Sequence, residues 1–492
     1  MLRWWLLILW GGSLFAQNSG IVQAAAQAYH AQRDTAQLSA LQLREADRLD
    51  EEAQQQAQAG GYAEALRRYA HAGAILRNVP WTPAIEFASS LEVRVDHFML
   101  EPGKPVTLSL GALYPTATTG SEKLIASVFL AAAGPGGPPE RALAQGALLE
   151  PMRIPFATRI TMPETEAGNY NLEVRLKLPD GSVPADPGAV FTKRLPVHVE
   201  NLSGAAQKLR VRLARISRSK SPALPSAQYA LQFYERVDRG EEGLRRYGRY
   251  PFREELKRAG ALLDDLEAGR DPFGAKSGDF HRAYRSAVDQ TLQPYRLFVP
   301  EGYDGSRPAP LLIALHGSGG DENDFFDRYQ EAPLKPEAQR VGFIVVCPKG
   351  REANSGYRGP AERDVFDVLA EAERDYRIDP ARIYVMGHSM GAFAAWRLAV
   401  EHPGRFAALG LIAGGGEPKD MAKIRHIPQY VVHGANDHTV PVAQSRAMVD
   451  AGRKAGTPIV YVEVPGAGHY EAALGQFKPM LDFFARQAKT TP

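Results

Sequence analysis

The sequence is poor in three features that would link a chain to itself, to a membrane or to a charged partner: cysteine, long apolar runs and net charge. Cys347 is the only cysteine among 492 residues, so an intrachain disulfide is excluded. It lies in the apolar stretch GFIVVCP, which indicates a small buried side chain and not a catalytic thiol. A net charge of +2 gives no reason to expect a nucleic acid or another strongly charged partner.

The amino-terminal segment MLRWWLLILWGGSLFAQ is apolar over only about ten residues, too few for a permanent membrane-spanning helix. Arg3 precedes this stretch and small residues near Ala16 follow it, which is the layout of a secretory signal peptide over residues 1–16. We therefore expect a secreted or periplasmic protein without stable membrane insertion after signal cleavage. An uncleaved membrane anchor is the alternative, and no cysteine follows directly to carry a lipid.

Composition divides the rest of the chain into four regions, as expected for a length that exceeds one ordinary core. Residues 20–79 have helical periodicity and predict a helical hairpin, whereas residues 82–200 alternate apolar and polar side chains between turns and predict a β-sandwich of the immunoglobulin-like type. Residues 201–275 predict a helical linker. Residues 276–492 alternate apolar strands with amphipathic segments, which predicts a mostly parallel sheet covered by helices on both faces.

A serine lies between two glycines in the stretch VMGHSMGAFAAW, directly after a predicted strand and before a predicted helix. Ser389 fits the pattern G-x-S-x-G, in which a strained turn holds the hydroxyl above the edge of a sheet. Glycine neighbours permit such a turn because they have no Cβ to clash. The bare pattern is common, but the flanking strand and helix make Ser389 a candidate nucleophile.

A serine nucleophile needs an imidazole to accept its proton and a carboxylate to orient that imidazole. Asp437 follows the predicted strand PQYVV, and His469 follows the strand IVYVEV, so the chain order is serine, acid, histidine. His433 and His438 are nearby imidazoles, but they are less suited as the base, and we expect local structural roles for both.

The stretch LLIALHGSGGDEND supplies a strand followed by a glycine-rich loop. Such a loop can bring backbone N–H groups to the oxyanion that develops on a substrate carbonyl. We expect the N–H groups of Met390 and Ser318 to form this oxyanion hole, with Gly319 as a substitute for the second. A phosphate-binding loop is not indicated, because the G-x-x-x-x-G-K-[ST] layout is missing.

Residues 295–488 resemble a compact α/β-hydrolase of the secreted esterase type. The stretches that carry the resemblance are YRLFVPEGYD, LHGSGGDEND, DPARIYVMGHSMGA, HGANDHTVP and GAGHYEAA. They are similar to polyhydroxybutyrate-depolymerase-like and feruloyl or acetylxylan esterases, and more distantly to prolyl-oligopeptidase-type catalytic domains. The resemblance implies Ser389 as nucleophile, Asp437 as acid and His469 as base, with neither a metal nor an organic cofactor.

The predicted function is hydrolysis of carboxylic esters, of small-molecule or polymeric substrates, through an acyl-enzyme. Two alternatives remain open: a prolyl-oligopeptidase-type peptidase with the same residues, and a non-catalytic carbohydrate- or surface-binding protein on a hydrolase scaffold. Only eleven residues separate LIAGGG from PQYVVHG, so no large cap fits between these strands. The site is then either open or covered by the preceding regions.

Overall fold

The structure is a computed structural model that describes residues 19–489, except 117–121, 135, 184–187, 244–249, 275, 328 and 330–333. The predicted signal peptide at 1–16 lies outside these residues. The chain forms two compact units, one up to residue 207 together with 233–253, the other 208–232 together with residues from 254 onward. In the part of the chain that the structure describes, no helix combines the length and apolarity needed to cross a membrane.

The first unit begins with helices in the region where a hairpin was predicted. Helix α2 begins with a capping box, in which the Ser39 side chain accepts from the backbone of Gln42 and the Gln42 side chain accepts from the backbone of Ser39. Helix α1 packs against α3 and so adds a third helix to the α2–α3 hairpin. The bounds are α1 Ser19–Arg33, α2 Ala40–Gln58, α3 Tyr62–Leu76 and α4 Pro83–Ser90.

Two β-sheets follow, and their inward side chains share one hydrophobic core. The described strands have the orders β1-β3-β6 and β2-β8-β7-β4-β5. Alternate side chains of β4 are buried, as the period of a strand with one covered face requires. The bounds are β1 Leu91–Val95, β2 Met99–Leu100, β3 Pro105–Ala112, β4 Leu124–Ala132, β5 Arg141–Leu149, β6 Phe156–Thr161, β7 Gly168–Lys177, α5 Gly188–Phe191 and β8 Thr192–Val199, with a 3-10 turn at Pro151–Arg153.

Three helices lie in the described parts of the segment between these sheets and the carboxyl-terminal sheet, and the chain passes from one compact unit to the other within them. Their bounds are α6 Ser203–Arg215, α7 Leu224–Asp238 and α8 Phe252–Glu267.

The second unit is built on an eight-stranded sheet with the order β16-β15-β14-β13-β11-β12-β10-β9, counted over described residues. Strands β11 to β16 pair in parallel, whereas β10 pairs antiparallel with both β12 and β9. The strands are β9 Gly278–Arg285, β10 Leu292–Val299, β11 Ala309–Leu315, β12 Ile344–Pro348, β13 Ile378–His388, β14 Ala408–Ile412, β15 Gln429–Gly434 and β16 Ile459–Val464. The helices are α9 Asp324–Asp327, α10 Leu334–Val341, α11 Pro360–Asp375, α12 Met390–Glu401, α13 Ala443–Ala455 and α14 Phe477–Ala485, with 3-10 turns at Pro418–Ile424 and Glu471–Ala473.

Both faces of this sheet are buried. Leu311 and Ile313 of β11 belong to one hydrophobic core, whereas Leu312 between them belongs to another. Because successive side chains of a strand point to opposite faces, the two cores lie on opposite sides of the sheet. Cys347 of β12 is buried as expected, and burial raises the pKa of its thiol well above the usual range. A mostly parallel sheet between two layers of helices is α/β-hydrolase-like, as predicted.

The segment between β14 and β15 contains a single 3-10 turn at Pro418–Ile424. This segment therefore carries no inserted cap domain. The loops that hold the predicted site residues follow β11, β13, β15 and β16, which are parallel strands, so all four loops lie at the same edge of the sheet.

Candidate active site

Ser389 lies at the sharp turn between β13 and α12. Its φ of 53° and ψ of −120° are strained for a residue with a side chain, and its N–H donates to the carbonyl of Ile412 at 2.8 Å. The turn needs its glycines: a Cβ on Gly387 would lie 2.1 Å from the carbonyl oxygen of Gly391, and one on Gly391 would lie 1.9 Å from that of Leu315. The sequence thus folds into the turn expected of a nucleophile.

Asp437 and His469 meet in the loops that follow β15 and β16. Nδ1 of His469 lies 2.7 Å from Oδ2 of Asp437, while Oδ1 of Asp437 accepts from the N–H groups of Thr439 and Val440, both at 2.8 Å. Burial alone would raise the pKa of Asp437, but the hydrogen bonds from His469 and the two backbone groups outweigh it and hold that pKa below its usual value. The ionised carboxylate accepts from Nδ1–H, which leaves Nε2 of His469 as a proton acceptor.

His433 lies against the same carboxylate. Its Nε2 lies 3.1 Å from Oδ2 of Asp437 and 2.9 Å from the carbonyl oxygen of Val440. Its Nδ1 lies 2.7 Å from Oγ of Ser445, and the side chains of His433 and Asp437 are both fully buried. The sequence assigned His433 a local structural role, and this contact with the acid was missed because it appears only once the loop is folded. His438 is exposed.

His388, the residue before Ser389, links the nucleophile turn to the loop of His469. Its Nε2 lies 3.0 Å from the carbonyl oxygen of His469, and its Nδ1 lies 2.9 Å from Oη of Tyr329. The rings of His388 and His469 have their centroids 4.7 Å apart. His388, the variable position of the serine motif, thus brings the turn of Ser389 beside the loop of His469, whose ring contacts Asp437.

The glycine-rich loop after β11 lies directly beside the nucleophile. A Cβ on Gly317 would lie 3.3 Å from Cβ of Ser389, so only glycine allows this approach without displacement. The N–H of Gly319 already donates to the carbonyl of Ala353 at 2.9 Å and to Oδ1 of Asn354 at 3.1 Å. Gly319 is therefore less suited than Ser318 to donate to an oxyanion.

The N–H groups of Ser318 and Met390 have no hydrogen-bond acceptor among the described residues. Met390 is the first residue of α12, where backbone N–H groups have no partner within the helix. Both donors named from the sequence are thus free for an acceptor, in loops that approach each other at Ser389.

Tyr357 supports the glycine-rich loop at residues 316–320, which is the predicted oxyanion loop. Its hydroxyl accepts from the N–H of His316 at 3.0 Å, and its side chain is fully buried. Tyr357 has a φ of 51°, in the left-handed region that favours glycine. No sequence pattern pointed to this contact, because Tyr357 lies about forty residues from the loop it supports.

One group in the described part of the chain has the spacing of metal ligands, namely Glu362, Glu401 and His402. Nη1 of Arg397 donates to Glu362 at 2.6 Å and also to Glu401. The guanidinium already neutralises the two carboxylates, so this group does not fit a resident cation.

Comparisons with known proteins find a matching family model and several similar esterases. The family model described as Esterase PHB depolymerase matches residues 293–468. A probable feruloyl esterase C of Aspergillus terreus is 30% identical over 151 residues, which cover 30% of this chain and 56% of that protein. An uncharacterized protein of Mycobacterium tuberculosis is 30% identical over 237 residues, which cover 42% of this chain and 79% of that protein.

A bifunctional acetylxylan esterase/xylanase of Neocallimastix patriciarum is 29% identical over 141 residues, 28% of this chain and 20% of that protein. Among solved structures, a thermostable esterase aligns over 81% of this chain and 99% of its own, with 16% identity and a TM-score of 0.40. A ferulic acid esterase aligns over 43% of this chain and 99% of its own, with 19% identity and a TM-score of 0.38. Residues 293–468 thus form an Esterase PHB depolymerase domain, and the chain is similar to feruloyl and acetylxylan esterases.

Proposed function

We propose that this protein hydrolyses carboxylic esters through an acyl-enzyme formed on Ser389, with His469 as base and Asp437 as acid. The observation that carries the proposal is the 2.7 Å hydrogen bond between Asp437 and His469, in a loop that is itself hydrogen-bonded to the residue before Ser389. This arrangement leaves an imidazole nitrogen free to accept a proton beside a strained serine.

The reaction proceeds in two steps. Nε2 of His469 removes the proton from Oγ of Ser389 as the oxygen attacks the ester carbonyl carbon. The N–H groups of Met390 and Ser318 donate to the oxyanion, and His469 returns the proton to the departing alcohol as the ester C–O bond breaks. Water then attacks the acyl-enzyme under the same base and releases the carboxylic acid, which restores the Ser389 hydroxyl.

The names of the relatives suggest the substrate class. Because feruloyl and acetylxylan esterases are among them, we propose esters of aromatic or acetic acid with sugar hydroxyls as first candidates. The chain spans about half the length of the first relative, so its own acyl preference needs direct measurement. A panel of acetyl, butyryl, longer acyl and feruloyl esters gives that preference as a ratio of kcat/KM values.

We further propose that the protein acts outside the cytoplasm, on the support of the signal-like residues 1–16. The expected result is an amino terminus close to residue 17 in protein isolated after export. Retention of Arg3 in the exported protein would contradict the proposal.

The proposed activity is tested with a fluorophosphonate probe, which labels an activated serine covalently. We expect labelling of the wild type and none of Ser389→Ala, together with hydrolysis of p-nitrophenyl esters. Aminoacyl p-nitroanilides serve as the peptidase control, and their preferential cleavage would contradict an esterase. A wild type that neither reacts with the probe nor cleaves any ester would contradict catalysis altogether.

A further inference from the structure

His388 is a buried histidine with a defined proton arrangement. Its Nε2 faces the carbonyl oxygen of His469 at 3.0 Å, and a carbonyl oxygen can only accept. Nε2 therefore carries the hydrogen. In the neutral ring, Nδ1 is then an acceptor, and Tyr329 Oη at 2.9 Å donates to it. The hydrogen bonds run in one direction, from the Tyr329 hydroxyl through the His388 ring to the backbone of His469.

This chain of hydrogen bonds holds the loop of His469, which is also tied to the loop of the acid. The carbonyl of Ala467 accepts from the N–H of Asn436, which ties the His469 loop to the loop of Asp437 at 3.0 Å. The contact from His388 ties the same loop to the nucleophile turn. The base is thus anchored at two points, one towards each of its catalytic partners.

His388 also contacts the third part of the site. A Cβ on Gly317 would lie 3.2 Å from Nδ1 of His388, so the oxyanion loop runs along the same imidazole. The side chain is 1% exposed, which keeps water from replacing these contacts. One residue therefore lies against the nucleophile turn, the base loop and the oxyanion loop.

We propose that His388 is a positioning residue, which uses the hydrogen bond donated by Tyr329 to present its own Nε2–H to the His469 carbonyl and so sets the base at Ser389. This inference rests on the proposed function. It adds two residues to the proposed catalytic mechanism: His388, the variable position of the G-x-S-x-G motif, and Tyr329, from a separate segment of the chain. Displacement of a catalytic group by about 1 Å can cost about a hundredfold in rate, so loss of this anchor should affect turnover more than binding.

The test compares three variants of the full chain. His388→Leu removes the ring donor at similar volume, and His388→Gln keeps an amide N–H. Tyr329→Phe removes only the hydroxyl. The matched control is His426→Gln, because His426 is an exposed histidine whose Nε2 also lies 3.0 Å from a backbone carbonyl, that of Pro403. Melting temperature, kcat and KM for p-nitrophenyl acetate and the rate of Ser389 labelling are measured for each.

We expect His388→Leu to lower kcat at least tenfold with KM within twofold of the wild type, and to slow labelling by a similar factor. His388→Gln should recover part of the loss, Tyr329→Phe should lower kcat at least threefold, and the control should match the wild type. A folded His388→Leu with kcat within twofold of the wild type would overturn the proposal. If that variant fails to fold, an unchanged kcat in Tyr329→Phe overturns it instead. An inactive wild type refutes the proposed function, whereas an active wild type with unaffected variants refutes only this inference.

Discussion

Replacing Asp437 by asparagine should nearly abolish turnover without removing the side chain. Oδ1 of Asp437 accepts from the N–H groups of Thr439 and Val440, and Oδ2 accepts from His469. The asparagine carbonyl takes the Oδ1 position, since only an acceptor satisfies two backbone donors. Its NH₂ group then occupies the Oδ2 position, where it faces Nδ1 of His469 and the Nε2–H of His433.

The amide hydrogen must be accepted by Nδ1 of His469, which forces the proton of the ring onto Nε2. A ring in this tautomer cannot accept the proton of Ser389. Loss of the correct tautomer in a serine triad costs about 10⁴ in kcat, which is about 5.5 kcal/mol of activation free energy. The measurement is kcat and KM for p-nitrophenyl acetate, with a thermal melt to confirm folding.

The control for this prediction is Asp304→Asn. Asp304 is exposed and accepts from the N–H of Ser306 at 2.8 Å, so it shares the local turn contact of Asp437 without an imidazole. We expect wild-type rates for this control. A folded Asp437→Asn protein with kcat within tenfold of the wild type would refute the assignment of the acid.

Further predictions concern the oxyanion hole, acid stability and the serine turn. Ser318→Pro removes a backbone N–H and should lower kcat by about 10²–10³, whereas Ser318→Ala keeps the N–H and should have a kcat within threefold of the wild type. Equal kcat values for the two variants would exclude Ser318 as an oxyanion donor. The Arg296 guanidinium and the Lys335 ammonium overcome burial and hold the pKa of Asp279 at about 2 instead of 3.8. Because that pKa is lowered on folding, the ionised carboxylate stabilises the protein by about 2 kcal/mol above about pH 4, and this stabilisation is lost as the pH falls towards 2. In urea titrations, the free energy of unfolding of the wild type should therefore approach that of Asp279→Asn over that pH range. Gly391→Ala should destabilise the protein by about 1–3 kcal/mol or more, because its Cβ would meet the Leu315 carbonyl, while Gly404→Ala, with open space around its Cβ, should melt like the wild type.

The sequence predicted the parts of the site that depend on local patterns. Ser389 follows from glycines that the turn needs on both sides, and Asp437 and His469 follow from their places after strands. The parallel sheet was predictable because its strands are continuous apolar runs. These features need only a few consecutive residues to be recognised.

Features that depend on distant contacts could not be predicted in the same way. Strand β9 has the sequence GDFHRAYR, without apolar alternation. Its buried Arg282 forms an ion pair with Asp375 at 2.6 Å, a contact that exists only in the folded chain. Strand β5 could not be predicted from its sequence, because RALAQGALL has no period of two. His388 and Tyr357 have no distinguishing pattern, and each acquires its contacts from a segment about forty or more residues away.

The solitary cysteine has a practical consequence for experiments on this protein. Cys347 is 2% exposed within the central sheet, and burial keeps its thiol protonated and therefore unreactive. An alkylating reagent can modify it only when the sheet opens, so the rate of modification reports the free energy of that opening under native conditions. The chain thus contains an intrinsic probe of its own unfolding, and no engineered label is needed to compare the variants described above.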